Sequence, residues 1–252
     1  MITVTDLNVS YEGTEILHDV SASFPEGKVS VILGPNGCGK STLLKSIIRL
    51  NAEVSGTVTV GGQDIAELTQ RELSRRVAYL PQAHNIPDIT VERLVMHGRF
   101  PYLGYPRRYS RADREKVRDA LEWMGLTDFA ARKMEQLSGG QRQKVYLAMA
   151  LAQDTDVILM DEPTTFLDIR NQLEMLQLIR RLSAGGKTII MILHDFDLTL
   201  RYADHCLLLC DGAVQCFGAA RDVLASPELQ RAFSVTPCFY EAESETHCFV
   251  RT

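Results

Sequence analysis

The segment Val29-Ser30-Val31-Ile32-Leu33-Gly34-Pro35-Asn36-Gly37-Cys38-Gly39-Lys40-Ser41-Thr42 decides how the whole chain is read. Its first five residues form a short apolar run, the composition of a buried strand. Residues 34–41 fit G-x-x-x-x-G-K-[ST] with nothing missing. From Ser41 to Leu50 the apolar residues Leu43, Leu44, Ile47 and Ile48 fall at helical spacing. A strand that enters such a loop and a helix that leaves it together make a cradle for phosphate. The glycines admit backbone conformations closed to other residues, so successive N–H groups can turn toward one anion. The helix adds the positive end of its dipole. In that cradle Lys40 reaches the β- and γ-phosphates, and Ser41 ligates Mg²⁺. Cys38 lies inside the loop. A thiol at a helix N-terminus can be acidified, but the reading here is that its backbone N–H serves the loop and its side chain does not.

Working outward, Val157-Ile158-Leu159-Met160 is a second buried strand and Thr188 to Leu193 a third. Between them a helix over about Gln172–Leu182 carries Leu173, Leu176, Ile179 and Leu182 on one side. Strand, helix, strand with uninterrupted apolar strands implies a parallel sheet covered on both faces. Alternation in Ile2-Thr3-Val4-Thr5 and in Gly56-Thr57-Val58-Thr59-Val60 predicts antiparallel strands with one wet face. Residues 110–150 are mainly helical, with helices predicted over Ala112–Met124 and Gly140–Ala152. The expectation is an α/β core, a small antiparallel sheet near the start and a helical insertion in the middle. The tail after about Phe233 is weakly patterned, and no internal repeat is present.

The second strand runs directly into Asp161-Glu162. In an open α/β sheet, a carboxylate at the C-terminal end of a strand faces the ligand crevice. Asp161 fits the Walker-B role of holding Mg²⁺. Glu162 fits a general base or orienter of the attacking water.

Composition excludes several classes. Of 252 residues, 45% are apolar and 23% charged, as in a soluble globular protein rather than a disordered or fibrous one. No apolar run approaches the roughly 18 residues that span a bilayer. The opening MITVTDLNVSYEG carries no secretory signal pattern, so a cytosolic location is expected. The 27 Lys and Arg against 32 Asp and Glu give a net charge of −5, which argues against nucleic acid as a partner. Arg107, Arg108, Arg111 and Arg114 then read as a solvated local cluster. The six cysteines form no C-x-x-C pair and read as reduced thiols.

Leu137-Ser138-Gly139-Gly140-Gln141 precedes a helix, with Ser138 as its N-cap and two glycines leaving the N–H groups bare. After the phosphate loop and the acidic pair, this motif resembles the signature of ABC transporter ATP-binding subunits. The resemblance covers roughly residues 1–230 and includes the family's motifs in order. Tyr11 matches the aromatic that stacks on adenine. Gln82, in Tyr79-Leu80-Pro81-Gln82, matches the Q-loop. Thr165-Phe166-Leu167-Asp168 matches the D-loop, although Phe166 departs from the usual small residue. His194 matches the switch histidine.

That resemblance implies an α/β fold: a P-loop NTPase (RecA-like) core with an N-terminal antiparallel β-subdomain and an inserted helical subdomain. The ATP-binding domain would span 1–233, with the helical insertion at about 88–152 and an extension of unknown role at 234–252. It implies an ATPase working as a head-to-tail homodimer. Tyr11, Gly34, Pro35, Asn36, Gly37, Cys38, Gly39, Lys40, Ser41 and Thr42 would bind ATP. Leu137, Ser138, Gly139, Gly140 and Gln141 would close over it from the other copy, and Asp168 would touch that copy. Glu162, His194 and Gln82 would be catalytic, and Ser41, Gln82 and Asp161 would hold Mg²⁺.

With no membrane span of its own, a transport ATPase needs integral-membrane permease subunits and, through them, a substrate-binding protein. It would sit at the cytoplasmic face of the cell membrane. Gly98-Arg99-Phe100-Pro101-Tyr102-Leu103-Gly104, followed by Ala112-Asp113-Arg114, resembles the subfamily importing iron–siderophore, haem and cobalamin. Phe100, Tyr102, Leu103 and Tyr105 suit an interface, with packing inside the helical insertion as the other reading. A soluble ABC ATPase of iron–sulfur assembly, a zinc or manganese importer ATPase and a non-hydrolysing ATP-gated scaffold are the alternatives.

Overall fold

A computed structural model describes residues 1–51, 53–82, 86–242 and 245–251. The chain opens on β1 (Ile2–Tyr11) and β2 (Thr14–Phe24), joined through Glu12 and Gly13, both at positive φ. That is the backbone a two-residue hairpin demands. β3 (Val29–Leu33) leads into α1 (Lys40–Ile47), followed by β4 (Glu53–Val60), β5 (Gln63–Asp64), α2 (Gln70–Leu73) and β6 (Val77–Leu80). Three helices come next: α3 (Val91–Met96), α4 (Arg111–Trp123) and α5 (Gly139–Ala152). β7 (Val157–Met160), α6 (Ile169–Ala184), β8 (Thr188–Ile192), α7 (Phe196–Tyr202) and β9 (His205–Cys210) rebuild the α/β pattern. The chain continues through β10 (Ala213–Ala219), α8 (Ala220–Leu224), α9 (Pro227–Phe233), β11 (Thr236–Ala242) and β12 (Glu245–Arg251).

Two sheets face each other. One is antiparallel, in the order β2-β1-β4-β5. The other has the order β10-β9-β3-β8-β7-β6, parallel from β9 to β6. β10 is the exception to the all-parallel expectation, because Asp211 and Gly212, at positive φ, turn β9 straight back on itself. Alternate residues of each parallel strand enter opposite core layers. Ile32, Leu159, Ile190 and Leu207 pack toward α1 and the antiparallel sheet. Val31, Ile158, Ile189 and Leu208 pack toward the helices on the other side. Both faces are therefore dry, which is what continuous apolar strands require.

α1 stops at Ile47, earlier than the apolar pattern suggests. Arg49 takes a left-handed φ of 56°, and its guanidinium donates to the carbonyls of Ile65 and Leu68. A tertiary contact thus ends the helix while Ile48 remains buried.

The helical segment is tied together by one buried ion pair. Arg99 and Asp113 are 6% and 7% exposed. Arg99 Nε donates to Asp113 Oδ1 at 2.9 Å and Nη1 to the Ala152 carbonyl at 2.8 Å. The guanidinium also lies 3.9 Å from the centre of the Tyr102 ring. This sorts the aromatic cluster. Tyr102 packs against Arg99 and Arg75, and Leu103 is buried. Phe100 stacks on His97 and Tyr109 but stays half exposed, and Tyr105 is fully exposed.

The weakly patterned tail is a β-hairpin, β11–β12, seated on α7. Asp197 Oδ1 accepts the Cys248 N–H at 2.9 Å and lies 3.2 Å from His247 Nδ1. Just before the hairpin, Phe233 meets Phe196 edge-on. Among the described residues, no helix is long and apolar enough to cross a membrane.

Burial works against the Asp113 charge, but donors from Ser110 and Arg99 outweigh it and hold this carboxyl below the usual range. Replacing Arg99 by Ala leaves that charge buried without its partner, at an expected cost of about 3–5 kcal/mol in denaturant unfolding. Because the folded-state carboxyl is depressed, its stabilisation is complete above the ordinary carboxylate range and fades as pH falls through the folded value. The gap between parent and variant therefore narrows in acid; a gap independent of pH would place the loss in packing rather than charge.

Candidate active site

β3, β8, β7 and β6 are parallel and adjacent in the sheet, so the residues that come after them emerge along one edge. Gly34–Gly39 come after β3, and the loop closes at Gly39, the N-cap of α1, with φ 102°. A Cβ at Gly39 would lie 2.5 Å from Leu17 Cδ2, so both conformation and space demand glycine. Lys40 is buried, and its Nζ donates to the carbonyls of Gly34 and Pro35 at 2.8 Å each. The ammonium is held inside the loop by neutral oxygens that an anion can replace. Cys38 is buried too; burial pushes its thiol up despite the nearby Lys40 charge, so it is not an activated thiolate. All six cysteines are free.

The acidic pair is divided between two sets of donors. Asp161, 4% exposed, accepts Ser41 Oγ on Oδ1 at 2.9 Å and Tyr79 Oη on Oδ2 at 3.2 Å. Glu162 stands at φ 52°. Its Oε1 takes His194 Nε2 at 2.7 Å. Its Oε2 accepts Gln82 Nε2 at 2.6 Å and Thr165 Oγ1 at 2.9 Å. Desolvation raises the Glu162 carboxyl, but the hydrogen bonds from His194 and Thr165 and the charges of His194 and Lys40 prevail and hold it below the usual range. A carboxylate fixed in this way is held ionised and oriented. Ser41 and Asp161 meet as hard oxygen donors, the kind Mg²⁺ prefers. Among the described residues no cluster of three His, Cys, Asp or Glu could hold a metal.

Tyr11 is partly exposed at the end of β1, and its hydroxyl bonds Asn51 Oδ1. Asn51 Nδ2 in turn donates to the Thr42 carbonyl at 2.9 Å and to Ser46 Oγ at 2.6 Å. The aromatic ring is thus tied to the first turn of α1. Sequence reasoning missed Asn51, since a lone amide after a helix carries no signal of its own.

Leu137, Ser138, Gly139, Gly140 and Gln141 form a second group with Asp168. Leu137 is buried, and Ser138 and Gln141 cap α5 reciprocally. Gly139 has open space around it, whereas a Cβ at Gly140 would lie 2.4 Å from Asn171 Oδ1. Asn171 Nδ2 bonds Asp168 Oδ2 at 2.8 Å, and Asp168 Oδ1 caps α6 through the Asn171 N–H. Asn171, also missed in the sequence, therefore links the two motifs. Leu167 turns inward, while Phe166, at φ 64°, is 91% exposed.

The sequence profile of the ABC transporter family matches residues 17–165. The achromobactin transport ATP-binding protein of Dickeya dadantii (strain 3937) is 44% identical over 236 residues, 93% of this chain and 88% of its own. A probable siderophore transport system ATP-binding protein of Bacillus subtilis (strain 168) is 40% identical, covering 93% and 86%. Among solved structures, one described as a metal-chelate type ABC transporter in an inward-facing conformation superimposes with a TM-score of 0.87. The two share 27% identity over 100% of this chain and 97% of the other. A dimeric bacterial ABC transporter cassette gives 0.75 at 30% identity, covering 88% and 99%. With its fold, its phosphate loop and its relatives in agreement, the chain belongs to the ABC transporter family, as an ATP-binding subunit that hydrolyses ATP.

Proposed function

We propose that this chain powers an importer of iron chelates, with siderophores as the cargo class, and that residues 34–42, 82, 161, 162 and 194 carry its chemistry. The observation that supports this most is the grip on Glu162. Its two oxygens are taken by donors from three separate segments, those that follow β6, β7 and β8. Relatives named for achromobactin, iron(3+)-hydroxamate and ferric enterobactin, 37–44% identical, support the cargo class.

In this reading the N–H groups of Gly34–Thr42 hold the phosphates of ATP, and Tyr11 stacks on the adenine. Lys40 exchanges the carbonyls of Gly34 and Pro35 for the β- and γ-phosphates. Ser41, Asp161 and Gln82 would hold Mg²⁺, which when bound neutralises phosphate charge. Glu162 takes a proton from the attacking water, and His194 and Gln82 keep its carboxylate aimed. The bare N–H groups of Gly139 and Gly140 have no phosphate within their own chain, so they close on ATP held by a second copy. Asp168 meets that copy, and loss of the γ-phosphate loosens the pair. The exposed Phe100 and Tyr105 form part of the seat for a membrane permease, which receives cargo from a substrate-binding protein and holds this subunit at the cytoplasmic face of the membrane.

Glu162→Gln tests the reading. Hydrolysis is expected to fall by about 10²–10⁴-fold while ATP holds a dimer visible by size-exclusion chromatography; hydrolysis at the parent rate would remove Glu162 from the chemistry. His194→Ala removes the strongest donor to Glu162, so the carboxyl is expected to titrate at higher pH by carbon-detected NMR. An unmoved titration would mean that His194 does not govern it. Lys40→Ala is expected to abolish tight ATP binding in calorimetry, and unchanged affinity would undo the phosphate-loop assignment.

A further inference from the structure

Tyr79 takes no part in the proposed chemistry, yet it touches the group on which a cation would rest. It lies on β6, paired with Leu159 of β7, one register step before the strands end. The backbone fixes the position of the acidic residue beyond that pair: the Asp161 N–H donates to the Leu80 carbonyl at 2.8 Å. The Tyr79 ring packs among the apolar residues between the parallel sheet and α1. Only its hydroxyl reaches out, 3.2 Å from Asp161 Oδ2. On the other side Ser41, in the first turn of α1, donates to Oδ1 at 2.9 Å.

These two donors are not equivalent. The Ser41 oxygen can give a lone pair to a cation while its proton stays on Asp161 Oδ1, so Ser41 faces both, whereas Tyr79 touches the carboxylate alone. Tyr79 is the donor on the oxygen turned away from Ser41. We propose that Tyr79 is a positioning residue: its hydroxyl anchors Asp161 Oδ2 so that Oδ1 stays turned toward Ser41 and the incoming cation. Donors behind a metal ligand fix its orientation, and their loss typically costs about 10- to 100-fold in metal affinity or activity. β6 then serves both acidic residues, Asp161 through Tyr79 and Glu162 through Gln82 three positions later.

The inference rests on Asp161 as the cation's carboxylate, and the experiment separates the two. Binding of a non-hydrolysable ATP analogue is followed in full-length Tyr79→Phe, Asp161→Asn and the parent while Mg²⁺ is titrated from a chelated start. Tyr79→Phe keeps the ring and removes only the hydroxyl. Its half-saturating Mg²⁺ is expected to rise about tenfold or more, with Mg²⁺-free affinity and melting temperature close to the parent. A merely structural role would lower the melting temperature and weaken binding equally with and without Mg²⁺, which would overturn the proposal. So would an unchanged Mg²⁺ midpoint in Tyr79→Phe beside a shifted one in Asp161→Asn. If Asp161→Asn leaves the midpoint in place, the cation assignment fails first and the role of Tyr79 falls with it.

Discussion

Adjacent parallel strands that end along one edge are the constraint behind everything else in this protein. β3, β8, β7 and β6 are held side by side by backbone hydrogen bonds in a layer dry on both faces. Their apolar side chains leave no freedom of register, because a one-residue slip would exchange the two core layers. The residues beyond each strand end are therefore delivered to a fixed place. The phosphate loop leaves β3, Gln82 lies just past β6, Asp161 and Glu162 past β7, and His194 past β8. Four segments far apart in sequence converge there without a dedicated scaffold.

That geometry explains what could be read from the sequence. The phosphate loop and the acidic pair are contiguous, and each adjoins a strand whose apolar run announces it. Ser138 caps its helix locally, so its role in α5 was also legible. Contacts between distant segments were not. Asn51, Asn171 and Tyr79 each act through a partner from another element, and each looks ordinary where it stands. The end of α1 departs from the apolar pattern for the same reason: Ile48 continues the spacing, but carbonyls from the 65–68 turn draw the Arg49 guanidinium and break the helix. The tail hairpin is hard to read because its residues are half buried and carry no clean alternation.

The site divides into two bodies with different internal bonds. Around the loop, charged groups are held by polar partners: Lys40 by carbonyls, Asp161 by hydroxyls and Glu162 by His194, in short, directional contacts. Around Gly140, shape dominates, because Asn171 occupies the space that any side chain would need. A family resemblance describes both as motifs, but the physical reasons for their composition differ. One needs particular charges at particular atoms. The other needs an absence of atoms, together with a capped helix end that keeps its N–H groups open.

The seat of α7 joins two distant stretches of the chain. That helix begins shortly after His194, and its Asp197 is grasped by His247 and Cys248, 50 and 51 positions downstream. The strand end that carries His194 and the hairpin that supports the neighbouring helix therefore come from well-separated stretches of chain, and the corner is complete only when both are in place.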